Sequence, residues 1–133
     1  MTGSGQASIA IAKRYFTAVN ESRLDDLAAA FAEDAMLSFP MLPPVAGRKA
    51  IQEFYAGVLV FYPERRDDIT RWFVSEGGGD VAAEISFVGK TSTGKTVEFD
   101  AVDVFTIRNG VIQKLIIYYD SAKVLQMLGE LPK

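Results

Sequence analysis

Asp103 stands in the run Phe99-Asp-Ala-Val-Asp103-Val-Phe105-Thr-Ile107. As an extended strand, that run puts Phe99, Ala101, Asp103, Phe105 and Ile107 on one face, with Val102 and Val104 on the other. A carboxylate among such neighbours is taken out of water, so it must find donors or keep its proton. A carboxylic acid that keeps its proton is a hydrogen-bond donor. Tyr15 and Tyr55 supply two more hydroxyls, each flanking the apolar side of a segment with helical spacing. A buried acid with a shifted proton affinity is a candidate functional residue. Two readings stay open for each residue. Asp103 is also explained as an edge position or as a buried acid satisfied by backbone N–H groups or an arginine, and the tyrosines as core residues with a bonded hydroxyl.

The rest of the composition narrows the chemistry. The 133 residues contain no histidine and no cysteine. That removes Ser-His-Asp triads, thiol nucleophiles, disulfides, thiolate zinc sites and iron–sulfur clusters. No cofactor and no metal is expected. The net charge of −3 argues against a nucleic-acid surface. The one dense basic pair, Arg65-Arg66, runs straight into Asp67-Asp68 and reads as a locally neutralised, solvated loop. Gly89-Lys-Thr-Ser-Thr-Gly94-Lys95-Thr96 spells the phosphate-loop pattern, but that motif needs a helix after the Lys-Thr, and the following residues read as a strand. It is read as a hairpin turn. The Asn20-Glu21-Ser22 sequon is taken as accidental. Met1 to Gln6 is small and polar, without a signal-peptide pattern, and no run is long enough to span a membrane. The expected location is the cytoplasm.

Elements must bring these side chains together. Ile9, Ala12, Phe16 and Val19 recur at helical steps, with Ile11, Tyr15 and Ala18 beside them. Ser22-x-x-Asp25 resembles a capping box that opens a second helix through Leu24, Leu27, Ala28 and Phe31, stopping near Glu33-Asp34. Ala35–Phe39 reads as a short strand. The Pro40 to Pro44 segment is a rigid connector ending at Gly47, and a third helix runs from Arg48 to about Tyr62, closed by Pro63. The period then changes to two, predicting strands at Ile69–Ser75, around Val81–Phe87, at Thr96–Ile107 and at Val111–Tyr119. Asn109-Gly110 is a hairpin signal. A short helix, Ser121–Leu128, follows. Helices first and hairpin-linked strands after make an α+β fold, divided as a flexible N-terminus (1–8), one domain (9–129) and a tail (130–133). The last two strands are apolar on both faces, which predicts a homodimer through the outer sheet face.

Arg14-Tyr15-Phe16, Leu27-x₃-Phe31-Ala-Glu-Asp-Ala35, Pro43-Pro44-Val-Ala-Gly47-Arg48, Ile51-x-x-Phe54-Tyr55, Phe99-Asp-Ala-Val-Asp103-Val-Phe105, Asn109-Gly110-x-Ile112 and Tyr118-Tyr119-Asp120 occur in that order. Together they resemble the nuclear transport factor 2-like superfamily, in its ketosteroid isomerase and SnoaL-like branch. The resemblance implies a cone-shaped, curved, mainly antiparallel sheet wrapped around three N-terminal helices, a cystatin-like α+β barrel. It implies that Tyr15 and Asp103 hold a developing oxyanion, as in the ketosteroid isomerases that exemplify a neutral carboxylic acid donor, with Tyr55 supporting Tyr15. It places the isomerase's general base at Phe39, which cannot move a proton. Limonene epoxide hydrolases share the fold, but their water-positioning Tyr and Asn would fall at Leu37 and Phe39, and their acid at Ile117.

The expected function is therefore an isomerase-like or cyclase-like enzyme for a small hydrophobic carbonyl compound, such as a steroid, terpenoid or polyketide, with its base unassigned. The alternatives are a non-catalytic binding protein of the same fold and a dimerisation domain. The expected pocket is lined by Phe31, Phe39, Phe54, Phe99, Phe105, Leu115, Ile117 and Tyr119, with Tyr15, Tyr55 and Asp103 in one hydrogen-bond network at its base. The expected partners are a small hydrophobic molecule and a second copy of the chain, with no nucleic acid and no membrane.

Overall fold

The period change near residue 63 marks where the run of long strands begins, and the computed structural model, which describes residues 2–130, follows it. Helix α1 (Thr2–Asn20) is followed by α2 (Leu24–Ala29), strands β1 (Phe31–Ser38) and β2 (Val45–Ala46), and helix α3 (Arg48–Phe61). Strands β3 (Glu64–Val74), β4 (Asp80–Lys90), β5 (Thr96–Arg108) and β6 (Val111–Tyr119) come next, and then α4 (Ser121–Met127). The six strands form one curved, open sheet in the order β2-β1-β6-β5-β4-β3. β1 runs parallel to β6 and every other neighbour is antiparallel, so the sheet is mixed.

The core lies between the helices and the concave face. α1 contributes Ala12, Tyr15, Phe16 and Val19, and α3 contributes Ile51 and Tyr55. Odd-numbered residues of β5 from Ala101 to Ile107 face inward, as their alternation predicts. The Asn109-Gly110 turn holds both residues at positive φ, 54° and 78°, the geometry that lets a two-residue turn match strand twist. No helix among the described residues is long and apolar enough to cross a membrane.

Several sequence expectations need correction. α1 begins at Thr2, so residues 2–8 are helix rather than a lead-in; Gly5 is buried beside Val74, and the Ser8 hydroxyl donates to the Gly78 carbonyl at 2.6 Å. The expected capping box does not form: Ser22 is in the left-handed region (φ 59°), Arg23 is the N-cap, and no side chain caps α2. α2 ends at Ala29 because the chain turns there into the ladder, Ile112 N–H donating to the Ala30 carbonyl at 2.8 Å and Phe31 pairing with Ile112. The phosphate-loop look-alike is a turn: Thr91 N–H donates to the Lys95 carbonyl and Thr91 Oγ1 accepts from Lys95 N–H, immediately before β5. The largest difference is at β3. It starts at Glu64, so Arg65-Arg66-Asp67-Asp68 is strand, paired in register with Gly89 back to Ser86 of β4. A register shift between Ile69 and Arg71 then changes which residues face inward, from Arg65, Asp67 and Ile69 to Trp72.

Candidate active site

α1 and α3 cross the concave face so that Tyr15 and Tyr55 meet edge to face, their ring centroids 5.7 Å apart and their hydroxyl oxygens 2.5 Å apart. Phe16, Phe31 and Phe105 surround Tyr15, also edge-on. Both hydroxyls are buried, and burial holds them well above the ordinary tyrosine value, so both stay protonated. One donates to the other, which leaves one O–H of the pair free to donate onward.

Asp103 faces the same space from the centre of β5. Its neighbours across the ladder are Ala83 on β4 and Ile117 on β6, neither of which offers a donor. The residue is 2 % exposed, and its Oδ1 has no hydrogen-bond partner among the described residues. Burial first, and then the charge of Asp67, push the Asp103 carboxyl well above the usual carboxylate range. The expected single network is thus only half formed: the tyrosines are bonded to each other, and Asp103 is bonded to neither.

These three groups line a cavity of about 70 Å³. Phe39, Phe99, Ile117 and Tyr119 line it as expected, joined by Val58, Ile85 and Phe87. Phe87 stacks on Phe99 (4.8 Å), and Phe99 lies against Tyr119 (4.5 Å). Burial, and secondarily Tyr62, raise Tyr119 to about 12. Phe31, Phe105 and Leu115 do not reach the cavity; they are fully buried and belong to the solid core. Phe54 packs against Phe39 and opens instead onto a larger apolar groove of about 570 Å³. Phe39, Val58, Tyr62 and Tyr119 are common to both spaces, and Met41, Leu42 and Leu128 extend the groove outward. Gly89 makes the shared wall possible: a Cβ there would lie 2.7 Å from the Phe87 ring and 2.9 Å from Tyr62.

Two functional candidates come from the segment read as a loop. Arg65 and Asp67, alternate residues of β3, both point into the cavity. Arg65 is fixed by carbonyls at the ends of two helices, donating to Tyr62 at 3.2 Å and, through Nη2, to Val19, and it also donates to the Ser22 hydroxyl at 2.6 Å. Its Nε is buried without a partner among the described residues. Asp67 is anchored by its backbone: its N–H donates to Asn20 Oδ1 at 2.9 Å, and its carbonyl accepts from Asn20 Nδ2 at 3.0 Å. Burial pushes its carboxyl up to about 6, with Arg65 opposing and Asp68 adding to the shift. The signal in the sequence was parity: counting back from the inward Ile69 in steps of two reaches Asp67 and Arg65. Among the described residues no cluster of three Asp, Glu, His or Cys is arranged to hold a metal ion.

The sequence profile of the SnoaL-like domain matches residues 12–115. The chain belongs to the SnoaL-like family. No curated protein sequence matches this SnoaL-like chain. Among solved structures, it is similar to a candidate polyketide cyclase from Xanthomonas campestris pv. campestris, with 24% identity, a TM-score of 0.86, and 93% and 98% of the two chains covered. It is also similar to an LEH-like epoxide hydrolase of M. tuberculosis (17% identity, TM-score 0.80, 93% and 90% covered). A third is SalBIII, an epoxide hydrolase/cyclase-like enzyme of pyran ring formation in salinomycin (24% identity, TM-score 0.80, 89% and 94% covered). At these identities the likeness establishes the SnoaL-like fold, with its nuclear transport factor 2-like and ketosteroid isomerase-like relatives.

Proposed function

We propose that this SnoaL-like protein is an enzyme that binds a hydrophobic carbonyl compound and stabilises negative charge on its oxygen, as an isomerase or cyclase does. The carbonyl oxygen would accept hydrogen bonds from the protonated Asp103 and from the Tyr15–Tyr55 pair, while the apolar body lies along the aromatic wall and out into the groove. One observation carries the reading. Among the described residues, the buried side-chain polar atoms without a partner are Asp103 Oδ1 and Arg65 Nε, and both residues line this one cavity. Native interiors rarely leave such atoms unpaired, and a ligand that pairs with them explains the exception. A preorganised donor in a dry site gains most when its acceptor becomes charged, which favours the enolate over the ketone.

The test is binding of 2-naphthol, whose naphtholate mimics an enolate and fluoresces differently from the neutral form. The wild type is expected to bind it, and Asp103→Leu to weaken binding by about tenfold or more, the usual cost of losing a bond to a charged group. Absence of affinity at millimolar naphthol overturns the proposal. A non-catalytic binding protein is the second reading, and Phe39 at the position where the ketosteroid isomerase resemblance puts the general base favours it. A second copy of the chain on the outer sheet face, where Val88 and Tyr118 are exposed, belongs to the proposal too; light scattering at the monomer mass would remove that part.

A further inference from the structure

We infer that Asp67 is the proton-transferring base of this site, entering the cavity from a different strand than Asp103 and replacing the carboxylate absent at Phe39. The inference rests on the oxyanion reading above and adds what that reading lacks, a group that takes the proton.

Among the described residues, Asp67 and Asp103 are the carboxylates that line the cavity. They enter it from different strands. Asp67 sits on β3 in the row Asp67–Phe87–Phe99, whereas Asp103 sits further along β5 in the row that contains Ala83. No hydrogen bond joins them, yet each acts on the site's electrostatics: the charge of Asp67 is felt by Asp103, Tyr15 and Tyr55 alike. A molecule held by its oxygen at Asp103 presents its adjacent carbons to the rest of the cavity lining, which includes Asp67.

The surroundings of the two acids differ in the sense that the chemistry requires. Asp103 has apolar neighbours and no nearby cation, so its neutral form is favoured and it donates. Asp67 has Arg65 two residues away on the same face, and a positive charge favours its ionised form. Titratable acids pushed apart by their surroundings mark the acid and base roles. The remaining ionisable groups around the cavity are Tyr15 from α1, Tyr55 from α3 and Tyr62 just after it, all three raised and neutral, as is Tyr119 on β6. Asp68 points outward. Arg65 does not consume the carboxylate, because its Nη1 and Nη2 groups donate to Tyr62, Val19 and Ser22 and it forms no ion pair with Asp67. The Asn20 bonds fix the Asp67 backbone and leave the side chain free.

The step balances without a further reactant. An Asp67 oxygen takes a proton from a carbon beside the carbonyl, and the C–H pair becomes the C=C bond of an enolate whose oxygen is held by Asp103 and the tyrosine pair. The proton then passes from Asp67 to a different carbon of the same molecule, which leaves an isomer and restores the carboxylate.

The probe is 3-cyclohexen-1-one in D₂O, followed by proton NMR for deuterium entry and by absorbance for conjugation, with 2-naphthol binding measured on the same samples. The wild type is expected to accelerate both signals, with a rate that rises as the pH passes about 6. Asp67→Asn is expected to lower the rate by about 10²–10⁴-fold, the contribution typical of a general base, while naphthol binding is retained. Asp67→Glu should recover part of the rate. If Asp67→Asn keeps the wild-type rate, or if the wild type binds naphthol but moves no proton, Asp67 is not the base and the oxyanion reading stands. Absence of naphthol binding by the wild type overturns both.

Discussion

Arg65 and Asp67 face the cavity, whereas Arg66 and Asp68 face water, and the interleaved pairs differ in their partners and their surroundings. Outside, Arg66 Nε and Asp68 Oδ1 meet at 2.7 Å, with both side chains more than half exposed. Inside, the arginine binds backbone carbonyls and the aspartate carries a raised proton affinity. The pleat of one strand separates a pair whose members bind each other from a pair whose members do not. Adjacent opposite charges are therefore no evidence of neutralisation until the geometry of the backbone is known. An outward pair can lose itself in solvent at little cost, but an inward pair keeps whatever charge its surroundings leave it.

Four variants would break or sharpen this contrast. The largest effect is on proton transfer: Asp67→Asn should remove about 10²–10⁴ of the rate, and Asp68→Asn should leave it nearly unchanged. Equal losses would end the distinction between the faces. Stability comes next, and its sign follows from linkage. An unfolded aspartate titrates near 3.9 (about the reference value) and Asp67 near 6, so the folded state holds the proton more tightly in between. The fold's stability should thus be highest below about pH 4 with respect to this group and decline as the pH rises through about 6, by at most about 3 kcal/mol. Asp103, raised further, extends the decline to higher pH. Urea melts from pH 4 to 8 test this, and Asp67→Asn should flatten the lower part of the curve. A smaller change is expected from Arg65→Gln: the rising limb of the pH–rate profile should move to higher pH, with a loss of about 1–3 kcal/mol as the carbonyls of Val19 and Tyr62 lose their donor. The smallest is the outward pair, where Arg66→Ala with Asp68→Ala should cost less than about 1 kcal/mol.

The legibility of the sequence follows the same divide. Where apolar and polar residues alternate, as from Val97 to Ile107, period and register are plain, and Asp103 could be placed on the inner face. Tyr15 and Tyr55 were legible because helical spacing marked their faces. At Arg65–Asp68 both faces of the strand carry charge, so alternation leaves no trace in hydrophobicity. What makes it a strand is the ladder with β4 and the Asn20 clamp, both formed by residues distant in sequence. The end of α2 was hidden for a related reason: Phe31 continues a helical spacing, but its tertiary partner is Ile112. The division of the aromatic residues between solid core and cavity wall was also illegible, since both places want the same side chains. Phe105 and Phe99 lie on one face of one strand, yet one is sealed and the other borders the cavity.

β3 ends the sheet on its side, and eleven residues make a long unpaired margin. Such a margin invites another chain to add a strand and begin an aggregate. Here Arg66, Asp68 and Arg71 stud it, and the shift after Ile69 breaks its flatness. At Asp67 the Asn20 amide fills both the N–H and the C=O that a newcomer would use. A side chain of the first helix thus stands in for a missing neighbouring strand, so the contact that fixes the inferred base also keeps this edge from recruiting a second molecule.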